Sequence, residues 1–286
     1  MTNDRNILVT GATGRQGGAV ARELLAKGYR VRAMTRKPDG ENARALAQLG
    51  AEVIRGDFDD DTSLAQAVKG VWGAFAVQNT WEAGVEREEG QGKRFAKVAK
   101  DAGVQHFVYS SVGSAHRNTG IPHFENKWRV EETVRSLQLP SYSILRPAFF
   151  MENFLLPWFK PAIDQGKLTV GIKPTTVLQM IAVADIGKYG AWAFENWQKL
   201  NGRALDIAGD AKTMLETAKI ISKAVDREIE FVPTPLEEVR RFSDDFAIML
   251  EWFDAVGYNA DIKGMAKESG IKPTTLTRWA SQVDWS

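Results

Sequence analysis

Three glycines, Gly11, Gly14 and Gly17, stand three residues apart, and a basic pair, Arg36 and Lys37, follows about twenty residues on. Glycines at this spacing let a backbone approach a pyrophosphate, and a helix starting behind them offers free N–H groups and the positive end of its dipole. An acidic residue at the end of the second strand would accept from a ribose 2′-OH. Arg36 and Lys37 suit a 2′-phosphate better, so the expected ligand is NADP(H) rather than NAD. Thr13, Arg15 and Gln16 fill the same turn and count with the glycines as cofactor-binding candidates.

The elements needed to hold these residues are legible around them. Ile7-Leu8-Val9-Thr10 is a short apolar run suited to a buried parallel strand, and Ala19 to Lys27 is a helical pattern stopped by Gly28. A second apolar strand runs from Tyr29 to Met34. The signal lies in the placement of the glycines between strand and amphipathic helix, since the G-x-x-G-x-x-G spacing alone is weak.

The rhythm continues. Helices are expected over 42–50, 62–69 (capped by Asp61 or Thr62), 86–102 and 123–137, with strands over 51–55, 71–78, 106–111 and 142–146. Such alternation predicts an α/β fold, a Rossmann-type doubly wound parallel sheet. After Pro147 the rhythm loosens, and a smaller, mostly helical C-terminal lobe is expected. The division read from the sequence is a dinucleotide-binding domain over 1–150, with 180–208 returning to it, and a substrate or partner lobe over 151–286.

Ligands in open parallel sheets lie off the carboxyl ends of the strands. Asp57 and Phe58 follow the third strand, where a carboxylate can accept from the adenine amine and a ring can stack. Val77, Gln78 and Asn79 end the fourth and are expected beside the nicotinamide ribose. Ser110 and Ser111 end the fifth, facing nicotinamide or substrate, or capping backbone. Phe149, Phe150, Asn153 and Phe154 form either an aromatic wall over the nicotinamide or plain core. The charged run Glu86-Arg87-Glu88-Glu89 reads as a solvated helix face.

Composition excludes several classes. The 286 residues are 44% hydrophobic with a formal net charge of +1, which argues against a chain held by nucleic-acid phosphates or an anionic membrane. There are no cysteines, so disulfides and thiol redox chemistry are excluded, and a cytoplasmic location is expected. The three histidines, His106, His116 and His123, are not spaced as zinc ligands, and no metal is expected. No stretch approaches the roughly twenty apolar residues of a membrane span.

Taken in order, Val9-Thr10-Gly11-Ala12-Thr13-Gly14-Arg15-Gln16-Gly17, Thr35-Arg36-Lys37-Pro38, Gly56 to Asp60, Phe107 to Ser111, His123-Phe124-Glu125-Asn126-Lys127 and Leu145 to Phe154 resemble the NmrA-like proteins. These are a branch of the atypical short-chain dehydrogenase/reductase superfamily. The resemblance implies binding of NADP(H) or NAD(H). It also implies either reduction of enones or quinones, or a dinucleotide sensor acting through protein contacts.

Carbonyl reductases of that superfamily carry Tyr-x-x-x-Lys on the helix after the fifth strand. Here Lys127 is present and His123 stands in the tyrosine's place. Lys127 can anchor ribose hydroxyls without delivering a proton, or Lys127 or His123 can donate one. Alternatively, His123 packs at a helix start and Lys127 is solvated. The missing tyrosine favours a dinucleotide sensor with weak or no turnover. The alternative is an NADPH-dependent oxidoreductase of a quinone, enone or small carbonyl. The expected partners are therefore a dinucleotide with a small apolar substrate or a regulatory protein, and self-association is open.

Overall fold

A computed structural model describes residues 3–285. Seven parallel strands form its main sheet, in the order Arg203–Ile207, Tyr142–Pro147, His106–Ser110, Gly73–Ala76, Asn3–Val9, Tyr29–Thr35 and Glu52–Arg55. The order reverses direction between Asn3–Val9 and Gly73–Ala76, which opens a crevice at the carboxyl ends of those two strands. Ile7, Leu8 and Val9 are all fully buried, as expected of a parallel strand covered on both faces.

The helix Arg15–Ala26 packs its Val20, Ala21 and Leu24 into the sheet core. Its other neighbour is the helix Val183–Glu195, and a Cβ on Gly187 would stand only 2.7 Å from the Ala19 carbonyl oxygen. That close approach clamps the helix behind the glycine turn. The helix Val85–Asp101 lies with Pro122–Ser136 on the opposite face. The helix Asp61–Val68 is capped by Asp60, not by Asp61 or Thr62: its carboxylate accepts from the Thr62 and Ser63 amides at 3.0 and 3.2 Å. Asp60 holds the extended backbone that a capping residue needs, whereas the next two residues are already helical.

Beyond Pro147 the chain leaves the sheet, then returns for Val183–Glu195 and the edge strand Arg203–Ile207. The remainder is mostly helical with short strands set among the helices, the strand Glu230–Pro233 falling where residues 228–232 read as one. Phe149–Phe150, Val177–Ile181 and Asp210–Thr213 make a small mixed sheet, and Lys167–Val170 pairs with Glu230–Pro233. An aromatic core of Phe149, Phe154, Phe159, Trp252, Phe253 and Trp279 binds these pieces together. Glu152 ties this lobe to the sheet, accepting from the Val183 amide at 3.0 Å and the Trp279 indole at 3.1 Å. Burial pushes its carboxyl up. No helix among the described residues is long and apolar enough to cross a membrane.

Candidate functional site

A single cleft of about 980 Å³ opens at the carboxyl ends of the central strands. Its floor begins at the glycine turn. Gly11 takes a φ of +56°, and the Gly14 amide donates back to the Gly11 carbonyl at 2.9 Å. The Thr10 hydroxyl accepts from the Val77 amide at 2.9 Å and so locks the ends of the first and fourth strands side by side. The first helical bond runs from Gly18 to Gly14, leaving the amides of Arg15, Gln16 and Gly17 ahead of it at the cleft. No acidic residue lies in that first turn. This donor set fits an anion.

Thr13 is held by Asn42, whose amide donates to its carbonyl at 3.0 Å, and its hydroxyl lies 3.3 Å from that of Thr35. Arg36 and Lys37 are exposed at the cleft edge, and Arg36 forms an ion pair with Glu82 across it. Asp57 and Phe58 line the next stretch of wall. Phe58 sits edge-on to Phe95, with centroids 5.6 Å apart. Beside them, Asp59 takes Arg87 at 2.9 Å and Gln91 at 3.0 Å, and the Arg87 hydrogen bond holds its carboxyl below the ordinary range.

Val77, Gln78 and Asn79 reach the cleft as their position at a strand end requires. Gln78 is buried, and neither atom of its amide has a hydrogen-bond partner among the described residues. Both amide atoms are closed off from solvent, and Oε1 lies toward Gly92 of the helix Val85–Asp101 rather than into the open cleft. Asn79 caps a short helix, Thr80–Ala83, by accepting from the Trp81 amide at 3.2 Å. That helix carries Trp81 and Glu82 over the cleft mouth. Ser110 does not line the cleft: it is fully buried and donates to Gln16 Oε1 at 2.7 Å, so it steadies the glycine turn from behind. Ser111 lines it in its place.

Lys127 and His123, four apart on one helix, both line the far end. Lys127 Nζ donates to Glu88 Oε1 at 2.6 Å, with the two side chains 12% and 2% exposed. Neither is a solvated surface charge, and the reading of residues 86–89 as a solvated face fails at Glu88. Glu88 also accepts from Asn126 at 2.8 Å and from the Thr80 hydroxyl. Burial pushes its carboxyl up, but the Lys127 charge and these hydrogen bonds outweigh it and leave it below the ordinary range. The missed signal was periodic: Glu88 shares a helical stripe with the buried Gln91, Phe95 and Ala99.

His123 is bonded through Nδ1 to Asp245, whose other oxygen accepts the His123 amide at 3.0 Å. Nothing in the sequence joins two residues 122 positions apart. Trp81 lies 5.2 Å from the imidazole and 6.2 Å from Phe246, ring centre to ring centre. Phe149, Phe150 and Asn153 line the same chamber, with Trp158, Phe246 and Tyr258. Phe154 is core instead, fully buried against Phe149 and Phe159.

A model of the NmrA-like family matches residues 3–280. The chain belongs to the NmrA-like family. An NmrA-like family domain-containing oxidoreductase, malD, of Malbranchea aurantiaca is 35% identical over 195 residues, covering 60% of this chain and 57% of the relative. The chain thus spans little more than half the length of that curated relative. Among solved structures, the Citrobacter sp. triphenylmethane reductase complexed with NADP(H) superposes with a TM-score of 0.81 at 22% identity, covering 97% of this chain and 99% of that one. NmrA, a negative transcriptional regulator, in complex with NADP gives 0.79 at 20%, covering 98% and 95%. At these identities the superpositions speak for the family's fold, which the sheet order also displays.

Proposed function

We propose that this chain binds NADP(H) along the cleft and uses it to reduce a planar, apolar acceptor, a quinone or enone. The observation that carries this reading is the union of two unlike ends in one cavity. One end has helix amides with Arg36 and Lys37, and the other is an aromatic chamber with His123 and Lys127 at its edge. In this reading the Arg15–Gly17 amides take the pyrophosphate and Arg36 with Lys37 the 2′-phosphate. Asp57 and Phe58 receive the adenine. Gln78, Asn79 and Lys127 hold the nicotinamide ribose, and Phe150 with Asn153 covers the ring. The bound dinucleotide supplies hydride. The chain's own part is to position the acceptor, exclude water and deliver the proton. The absence of cysteine suits a reducing cytoplasm.

A dinucleotide sensor is the second reading. It is favoured by one contact: Glu82 already occupies Arg36, so a 2′-phosphate that took Arg36 would free the Glu82 carboxylate and change the charge on a surface open to a protein partner. The NADP-bound NmrA regulator supports this reading and the Citrobacter reductase the first.

The test is an NADPH binding titration paired with NADPH oxidation, followed at the reduced-nicotinamide absorbance. The acceptors are 2-methyl-1,4-naphthoquinone, 2-cyclohexenone and benzaldehyde. Turnover lost in Lys127→Ala supports the reductase. Tight binding without turnover above the uncatalysed rate leaves the sensor, and absence of NADPH binding overturns both.

A further inference from the structure

We infer that His123 and Asp245 act as a proton-donating dyad in this cleft, with His123 the catalytic acid and Asp245, supplied by the C-terminal lobe, its positioning residue. The inference rests on the reductase reading. Asp245 holds the imidazole at two points: one oxygen on Nδ1 and the other on the backbone amide of His123. A carboxylate bonded to Nδ1 fixes the tautomer and the ring orientation. It also places a negative charge at the N-terminus of the helix Pro122–Ser136, where the dipole favours it. With Nδ1 committed, Nε2 is the nitrogen left for a ligand, and His123 lines the cleft beneath Trp81.

The chemistry balances simply. A quinone gains two electrons as hydride from the dinucleotide and one proton from imidazolium Nε2–H, giving hydroquinone, oxidised dinucleotide and neutral imidazole. Solvent then restores the imidazole proton. A cationic triphenylmethane dye gains only hydride, because its central carbon is neutralised by that step and no proton is needed. The dyad therefore predicts a split between the two acceptors.

The experiment compares wild type with His123→Gln and Asp245→Asn in single turnovers. NADPH is the reductant, and 2-methyl-1,4-naphthoquinone or crystal violet the acceptor. The ratio of quinone rate to dye rate is expected to fall at least about a hundredfold in His123→Gln, the low end of what a positioned acid contributes, and in the same direction in Asp245→Asn. If the ratio is unchanged, with both rates altered together, the dyad is overturned while the reductase reading stands. If wild type binds NADPH and reduces neither acceptor, the reductase reading fails and the dyad falls with it.

A second readout needs no turnover. Two-bond nitrogen–proton couplings report imidazole tautomers, and with three histidines in the chain the His123→Gln spectrum assigns the signal. Read on the neutral imidazole, reached by raising the pH until the signal stops moving, the free wild-type protein should show His123 as the Nδ1–H tautomer, and Asp245→Asn should lose that bias. An Nε2–H form in wild type, or no change in the variant, overturns the dyad.

Discussion

Lys127 Nζ and Glu88 Oε1 lie 2.6 Å apart between two packed helices, and the carboxylate is 2% exposed. Removing one partner from such a pair strands a buried charge, which costs about 3–5 kcal/mol. Glu88→Gln should destabilise by that order in urea unfolding. The double variant Glu88→Leu/Lys127→Met should recover most of it; a double variant as unstable as the single one would refute the pairing argument. Because the folded-state carboxyl lies below its ordinary range, the pair's contribution is present above the normal carboxylate range and is lost as pH falls through the lowered value.

Arg36 pairs with Glu82, and both side chains are about half exposed. An exposed pair is worth no more than about 1 kcal/mol, so Glu82→Gln should tighten NADPH binding by at most about fivefold. Arg36→Ala should weaken NADPH at least about tenfold while leaving NADH nearly unchanged. Equal losses for the two dinucleotides in a calorimetric titration would remove the 2′-phosphate from this corner.

Gly17 tests the turn itself. A Cβ there would stand 2.4 Å from the carbonyl oxygens of both Gly11 and Thr10. Backbone cannot rotate aside as a side chain can, so Gly17→Ala must shift the turn or the helix. Overpacking of this kind costs about 1–3 kcal/mol. Thermal unfolding should show the loss, with weakened NADPH binding beside it. A variant with wild-type melting and affinity would contradict the close approach.

His106 sets an acid limit. It is fully buried between Ser141 and Ser143, whose hydroxyls lie 2.9 and 3.0 Å from its two ring nitrogens. Burial pushes its pKa down to about 3. The unfolded chain protonates this imidazole near its ordinary value of 6.5 while the folded chain does not. Stability should therefore fall as pH drops below about 6.5, by about 1.4 kcal/mol per unit at full slope. His106→Gln should flatten that dependence between pH 6 and 5, measured by urea unfolding. An unchanged slope would assign the acid sensitivity to other groups.

The fold class was legible because its signals are local. Ile7-Leu8-Val9 as a buried strand, Gly11 and Gly14 as a turn, and Gly28 as a helix stop each depend on near neighbours in the chain. Residues at strand ends, such as Asp57 and Gln78, reach the cleft because a parallel sheet points all its carboxyl ends one way. Ser110 departed from expectation by one residue, since successive strand residues face opposite sides.

What residue order alone determined about this protein is therefore the doubly wound sheet, the glycine turn with its basic corner, and the Lys127 position on its helix. Tertiary structure alone decided that Lys127 is the partner Glu88 meets on its buried stripe, that Asp245 holds His123, and that Glu82 reaches Arg36. The reason is physical. Hydrophobic periodicity reports which face of an element is buried, but charge pairs across elements depend on how those elements are docked. Contacts spanning 39 to 122 residues leave no periodic trace in the chain.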